Sequence, residues 1–195
     1  MAILSPRLKT LPAAGIQRSL ALTVAMMFAR GAQGQVDEYR VKAAFLFNFA
    51  KFVDWPTETL PAADAPMNFC VLGRSPASDE LDASIRGKAI NAHVISVRHL
   101  RGPEEIKDCH LVFLAASAGK QHLKLLQAAR GLPILLVSES PGFARAGGAI
   151  DFVIEGGKVI FEVNQNAAEA AHLKISSKLL ALAHIVSSTD ERQGQ

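Results

Sequence analysis

The residues best placed to do chemistry are Ser117, within Ala115-Ala116-Ser117-Ala118-Gly119, and the cysteine pair Cys70 and Cys109. The serine lies between an apolar run and a helical segment, like the G-x-S-x-G nucleophile elbow that presents a hydroxyl for acyl transfer. Asp151 and then His172 or His184 follow it in the order Ser, Asp, His, so a small exported serine hydrolase is the enzymatic alternative. The plainer expectation is that Ser117 caps the helix beginning near Gly119. No backbone-rich oxyanion loop such as HGGG precedes it. The cysteines point to a different chemistry. An even pair in an oxidising compartment forms a disulfide, and this one would close a loop of about 40 residues.

Other catalytic and binding patterns are missing. There is no G-x-G-x-x-G, Walker loop, H-E-x-x-H or C-x-x-C. The six histidines, at 93, 99, 110, 122, 172 and 184, have no close metal-ligand spacing. His172 and His184 would stand about 18 Å apart on one helix. No catalytic residue, metal or cofactor is therefore assigned. A phosphoacceptor receiver domain is excluded because the third strand would end in Ala115 and Ala116, where that chemistry requires a carboxylate.

These residues need a scaffold, and its first 34 residues read as a secretory signal. Arg7, Lys9 and Arg18 precede the uncharged run Ser19 to Ala29, and small residues around Ala32-Gln33-Gly34 mark cleavage near Gly34. An eleven-residue run covers only about half of a bilayer's hydrocarbon core, and no lipoprotein cysteine sits at the junction. Residues 1–34 carry four of the 21 basic residues and none of the 18 acidic ones, so residues 35–195 have 17 minus 18, or −1. That balance provides no positive field for nucleic acid. The remaining 161 residues, 195 minus 34, suffice for one domain.

Within residues 35–195, apolar spacing predicts a helix over Asp37 to Val53 and a second from Ser75-Pro76 to Gly87. A third is expected over Gly119 to Arg130 and a long final one over Ala167 to Val186. Strand-like runs are Asn68 to Gly73, Ala92 to Leu100, Cys109 to Ala115 and Pro133 to Ser138. Gly148 to Glu155 and Lys158 to Asn164 form a hairpin turning at Gly156-Gly157. The fold class is α/β: a single layered domain, mostly parallel sheet flanked by helices, with a C-terminal antiparallel hairpin and a long final helix. If the first and third strands are neighbours, Cys70 and Cys109 come within bonding reach.

Both terminal helices carry apolar residues on two sides. On the last, Ala168, Ile175, Leu179, Leu182 and Val186 share one face, while Leu173 and Leu180 fall opposite. On the first, Val41, Phe45 and Phe52 form one stripe and Leu46, Phe47 and Ala50 another. Either the two helices pack on each other, or a surplus stripe meets a partner. The candidate partner-binding residues are Phe47, Leu173 and Leu180, with Phe161 and Glu162 of the hairpin.

VKAAFLFNFAKFVDWP (Val41 to Pro56), GGAIDFVIEGGKVIFEVN (Gly147 to Asn164) and LKISSKLLALA (Leu173 to Ala183) together resemble the YfiR-like family of exported bacterial proteins. The resemblance implies a periplasmic α/β protein without enzymatic activity, often a homodimer. It is similar to the repressor that binds the periplasmic sensor domain of an inner-membrane diguanylate cyclase and restrains cyclic-di-GMP production and biofilm formation. Some members carry a second cysteine pair, which is absent here. A periplasmic receptor for a small ligand is a further alternative.

Overall fold

Residues 38–51 form helix α1, which buries Ala43, Leu46, Phe49 and Ala50, none more than 1% exposed. The computed structural model describes residues 38–188 apart from 61 and 63, so the expected signal over residues 1–34 lies outside the described residues. The buried face of α1 corrects the expected one. Alanines at 43 and 50 let the helix approach the sheet closely, while Val41 stays 41% exposed and Phe45 and Phe52 are only partly covered. Phe45 and Phe49 pack on Phe161 with ring centroids 5.2 and 4.9 Å apart.

The strands are β1 (Val53–Asp54), β2 (Met67–Leu72), β3 (Ala89–Ile90), β4 (His93–Leu100), β5 (Leu111–Leu114), β6 (Leu135–Ser138), β7 (Ile150–Glu155), β8 (Lys158–Asn164), β9 (Lys174–Ile175) and β10 (His184–Val186). Eight of them form one sheet in the order β10-β8-β7-β6-β5-β2-β4-β3, and β1 pairs with β9 apart from it. Strands β4, β2, β5, β6 and β7 run parallel, while β8 returns antiparallel to β7. Both turn glycines of the hairpin have positive φ, +56° at Gly156 and +74° at Gly157, the conformation a two-residue turn between twisted strands requires.

Two apolar layers hold the sheet. On one face, α1 and α2 (Pro76–Ile85) cover Phe69, Val71, Phe113, Val137, Phe152 and Phe161. On the other, α3 (His122–Ala128) seats Leu125 against Leu72, Val112, Leu114 and Leu136. Two histidines fasten the segment leading into β2. The ring of His93 bonds the Ala65 carbonyl at 2.9 Å, and His110 accepts the Asn68 N–H through Nδ1 and bonds the Thr59 carbonyl through Nε2.

The long final helix is not formed. The chain instead runs through α4 (Gln165–Ala170), β9, α5 (Ser177–Leu180) and β10. His172 turns at φ +57°, a left-handed conformation that ends a helix. Leu173 and Ile175 are then buried while Lys174 between them is exposed, the period-two pattern of a strand, and Ser176 caps α5. Pairing of β9 with β1 satisfies backbone groups that a continuous helix would have satisfied internally. As a result the hairpin is not the sheet edge: β10 lies outside it, parallel to β8.

Candidate functional site

Cys70 in β2 and Cys109, just ahead of β5, form a disulfide with Cα atoms 5.8 Å apart. Because β2 and β5 are hydrogen-bonded neighbours, the bridge spans adjacent strands, as the expected strand order required. Both residues are buried in the layer beneath α3. The bond therefore ties two strands whose connection in sequence passes through α2, β3 and β4.

Connections from β2 and β5 leave toward opposite sides, which makes the carboxyl ends of these strands the switch point where doubly wound sheets bind ligands. Here that crevice is filled by protein. Gly73, at φ +90°, lies so close to the next loop that a Cβ there would come within 2.6 Å of the Ala118 Cβ. Ser117 sits within a 3-10 turn, Ala116–Gln121, and does not cap a helix. Its Oγ accepts the Arg74 N–H at 2.7 Å, fastening one loop to the other. Beside it the Glu139 carboxylate accepts the Ala116 N–H at 2.7 Å and receives the Lys42 ammonium at 3.4 Å. Lys42 also pairs with Glu38 at 2.7 Å, so α1 is locked electrostatically to the ends of β5 and β6.

No hydrogen bond joins Ser117, Asp151 and either His172 or His184 among the described residues, and both histidines are exposed. Replacement of Ser117 by alanine removes one loop-to-loop hydrogen bond, so thermal or urea denaturation should show a loss of about 1 kcal/mol. In a hydrolase using Ser117, the same change would abolish turnover.

Asp151 has a different task. Its side chain is fully buried in β7, where Oδ2 accepts the Phe143 N–H at 3.1 Å and Oδ1 has no partner. Glu162 faces it across the strand pair and is held by Arg145 through bonds of 2.7 and 3.1 Å. Burial pushes the Asp151 carboxyl up to about 6, the Glu162 charge adds to the rise, and backbone N–H groups of residues 142–144 partly offset it. Because this lies above the ordinary value of 3.8, the folded state holds the proton more tightly than the unfolded chain. Stability from this group therefore grows as pH falls through about 6 and is complete below about 4. Relative to Asp151→Asn, the natural chain should gain about 1 kcal/mol between about pH 8 and pH 5, measured by urea denaturation of both proteins. His110, whose pKa burial lowers, works in the opposite sense but equally in both proteins, so the difference isolates Asp151.

The expected partner-binding residues are not brought onto one surface. Phe161 and Leu173 are each 2% exposed and belong to the core, which corrects both. Phe161 is sandwiched under α1, and Leu173 turned inward once the final helix gave way to β9. Phe47 and Leu180 are half-buried, the Phe47 ring lying 5.0 Å from the Lys88 ammonium. Glu162 remains reachable beside Arg145.

A model of the YfiR/HmsC-like family matches residues 39–184. The chain belongs to that family. The match covers β1 to β9 and ends at the first residue of β10. No curated protein matches the chain. Among solved structures it is similar to the ABC domain in complex with L-Trp from Streptococcus pneumonia, at 10% identity and a TM-score of 0.47, over 62% of this chain and 55% of that one. The chain thus spans about half the length of that protein.

Within this YfiR/HmsC-like fold, exposed large apolar side chains include Leu182 at 70%, in the turn before β10, and Ile185 at 54%, in β10, which ends the strand order among the described residues. Periodicity hid them because it placed Leu182 on the buried face of a helix that does not exist. The alternation of Leu173, Lys174 and Ile175 was the available signal that the helix breaks there. Among the described residues no helix is long and apolar enough to cross a membrane, and no cluster of three metal-ligating side chains is present.

Proposed function

We propose that this chain is an exported, non-catalytic regulator that binds the periplasmic sensor domain of an inner-membrane diguanylate cyclase and holds it inactive, restraining cyclic-di-GMP and biofilm formation. The observation that carries this reading is the family match over residues 39–184. Removal of residues 1–34 leaves a near-neutral domain in an oxidising compartment, where the buried Cys70–Cys109 bridge persists. Restraint of this kind requires the regulator to bind one state of its partner more tightly than the other.

The contact surface is β10 and the turn leading into it, where Ile185 and Leu182 are exposed, with Glu162 of the neighbouring strand paired to His184. Apolar side chains of this size at the end of a sheet suit the centre of a protein interface. Replacing Leu182 and Ile185 together by aspartate should weaken binding to the purified sensor domain at least about tenfold, because the charges would have to be desolvated. Unchanged affinity in a folded double variant would remove this surface from the proposal.

A further inference from the structure

At the amino ends of β2 and β5 one histidine ring joins two parts of the chain. Asn68, the second residue of β2, turns both its backbone groups toward β5: its carbonyl accepts the His110 N–H at 2.9 Å, and its N–H donates to Nδ1 of the His110 ring at 3.0 Å. The other ring nitrogen, Nε2, meets the carbonyl of Thr59, in the 3-10 turn Thr57–Thr59, at 3.1 Å. An imidazole nitrogen that accepts a hydrogen bond carries no proton, and one that faces a carbonyl must carry one. The two bonds therefore fix His110 as the neutral ring protonated at Nε2. A second proton has only Nδ1 to bind, where it would point at the Asn68 N–H.

His93 provides the contrast. Its Nδ1 meets the Ala65 carbonyl at 2.9 Å, a bond that the neutral ring protonated at Nδ1 and the imidazolium can both donate. Of the two rings, only His110 loses a bond by taking a proton. It also has room to move, because it lies on the wall of a cavity of about 340 Å³ that Asn68, Lys107 and Asp108 line with it. The charges around His110 are Lys107 and Asp108 on its own loop and His93 at the start of β4; Glu58 and Asp64 ahead of β2 are exposed, and Pro133 and Ile134 ahead of β6 bring none. Burial acts most strongly against the charged ring and the His93 charge adds to it, while the Thr59 carbonyl and Asp108 oppose them, so the bonded ring titrates below the ordinary 6.5.

We infer that His110 is a proton-operated clasp: neutral, it ties the Thr57–Thr59 turn to the start of β2, and protonated, its ring leaves both bonds for the adjoining cavity and frees the turn from the sheet. The direction follows from linkage. A ring released into water takes its proton at the ordinary value, above that of the bonded ring, so acid favours release. The clasp is fully closed above 6.5 and opens as the pH falls below it. It does not depend on the cyclase reading, since it concerns the amino ends of β2 and β5 and not the surface at β10.

The test follows the purified exported protein, with its disulfide intact, by NMR between about pH 7.5 and about pH 5.5. At the upper end the His110 ring nitrogens should show the neutral form protonated at Nε2. Across the range, protection of the Asn68 amide, corrected for its intrinsic exchange rate, should fall several-fold, by at most about tenfold per pH unit, while the Phe113 amide within β5 keeps its protection. His110→Asn offers an amide oxygen in place of Nδ1 and does not titrate, so protection at Asn68 should then be independent of pH. His93→Asn should keep the response. The inference is overturned if His110 is protonated at Nδ1 at neutral pH, if protection at Asn68 does not change with pH, if the change survives His110→Asn, or if it vanishes in His93→Asn. The first two readings need no substitution, so a variant that fails to fold does not shield the clasp from refutation.

Discussion

Replacing both Cys70 and Cys109 by alanine should lower the stability of the domain by about 4 kcal/mol, because the bridge closes a loop spanning 39 positions of sequence. For a domain of this size that corresponds to a fall in melting temperature of roughly 10 °C. The physical effect is mostly on the unfolded chain, which the bridge prevents from separating β2 and β5. Calorimetry with and without a reductant supplies the check. A melting temperature insensitive to both the double substitution and reduction would mean that the strand pairing alone holds this layer together.

A comparable loss is expected at the lock between α1 and the sheet. The Lys42 side chain is 8% exposed and that of Glu139 is 4% exposed, so removing the ammonium leaves a buried carboxylate with its Ala116 bond but no counter-charge. Lys42→Ala should cost about 3 kcal/mol in urea denaturation. The pair Lys42→Met with Glu139→Gln should recover most of that, since it removes both charges while keeping volume and the acceptor for the Ala116 N–H. If the single and double variants are equally unstable, the loss comes from the ammonium's contacts with the Tyr39 ring and Glu38 and not from the stranded Glu139 charge.

Much of the scaffold was legible because each signal was local. The Gly156-Gly157 pair defined the hairpin, Ser75-Pro76 opened α2, and the continuous apolar runs marked buried parallel strands. The cysteine pairing followed from strand order, which reached into tertiary structure through a single adjacency. Three features were not legible. A helix with two apolar stripes does not say which one meets the sheet; close approach through Ala43 and Ala50 decided it. The partner of Ser117 is Arg74, 43 residues away, joined only when the β2 and β5 loops converge. The C-terminal segment has helical apolar spacing, yet pairing of β9 with β1 outweighs that local preference and leaves Leu173 to Ile175 alternating as a strand. The break at His172 also moves the apolar surface: Leu173 joins Phe161 in the core, while Leu182 and Ile185 are exposed at and just before β10.

The most direct test of the account is intracellular cyclic-di-GMP in the native host with the gene deleted. The nucleotide should rise several-fold, and the rise should disappear when the partner membrane cyclase is also removed. A copy carrying Ser117→Ala should restore the low level, whereas a folded, exported copy carrying Leu182→Asp and Ile185→Asp should not. An unchanged nucleotide level on deletion, or failure of the exported Ser117→Ala protein to restore it, would contradict a non-catalytic regulator of cyclase activity.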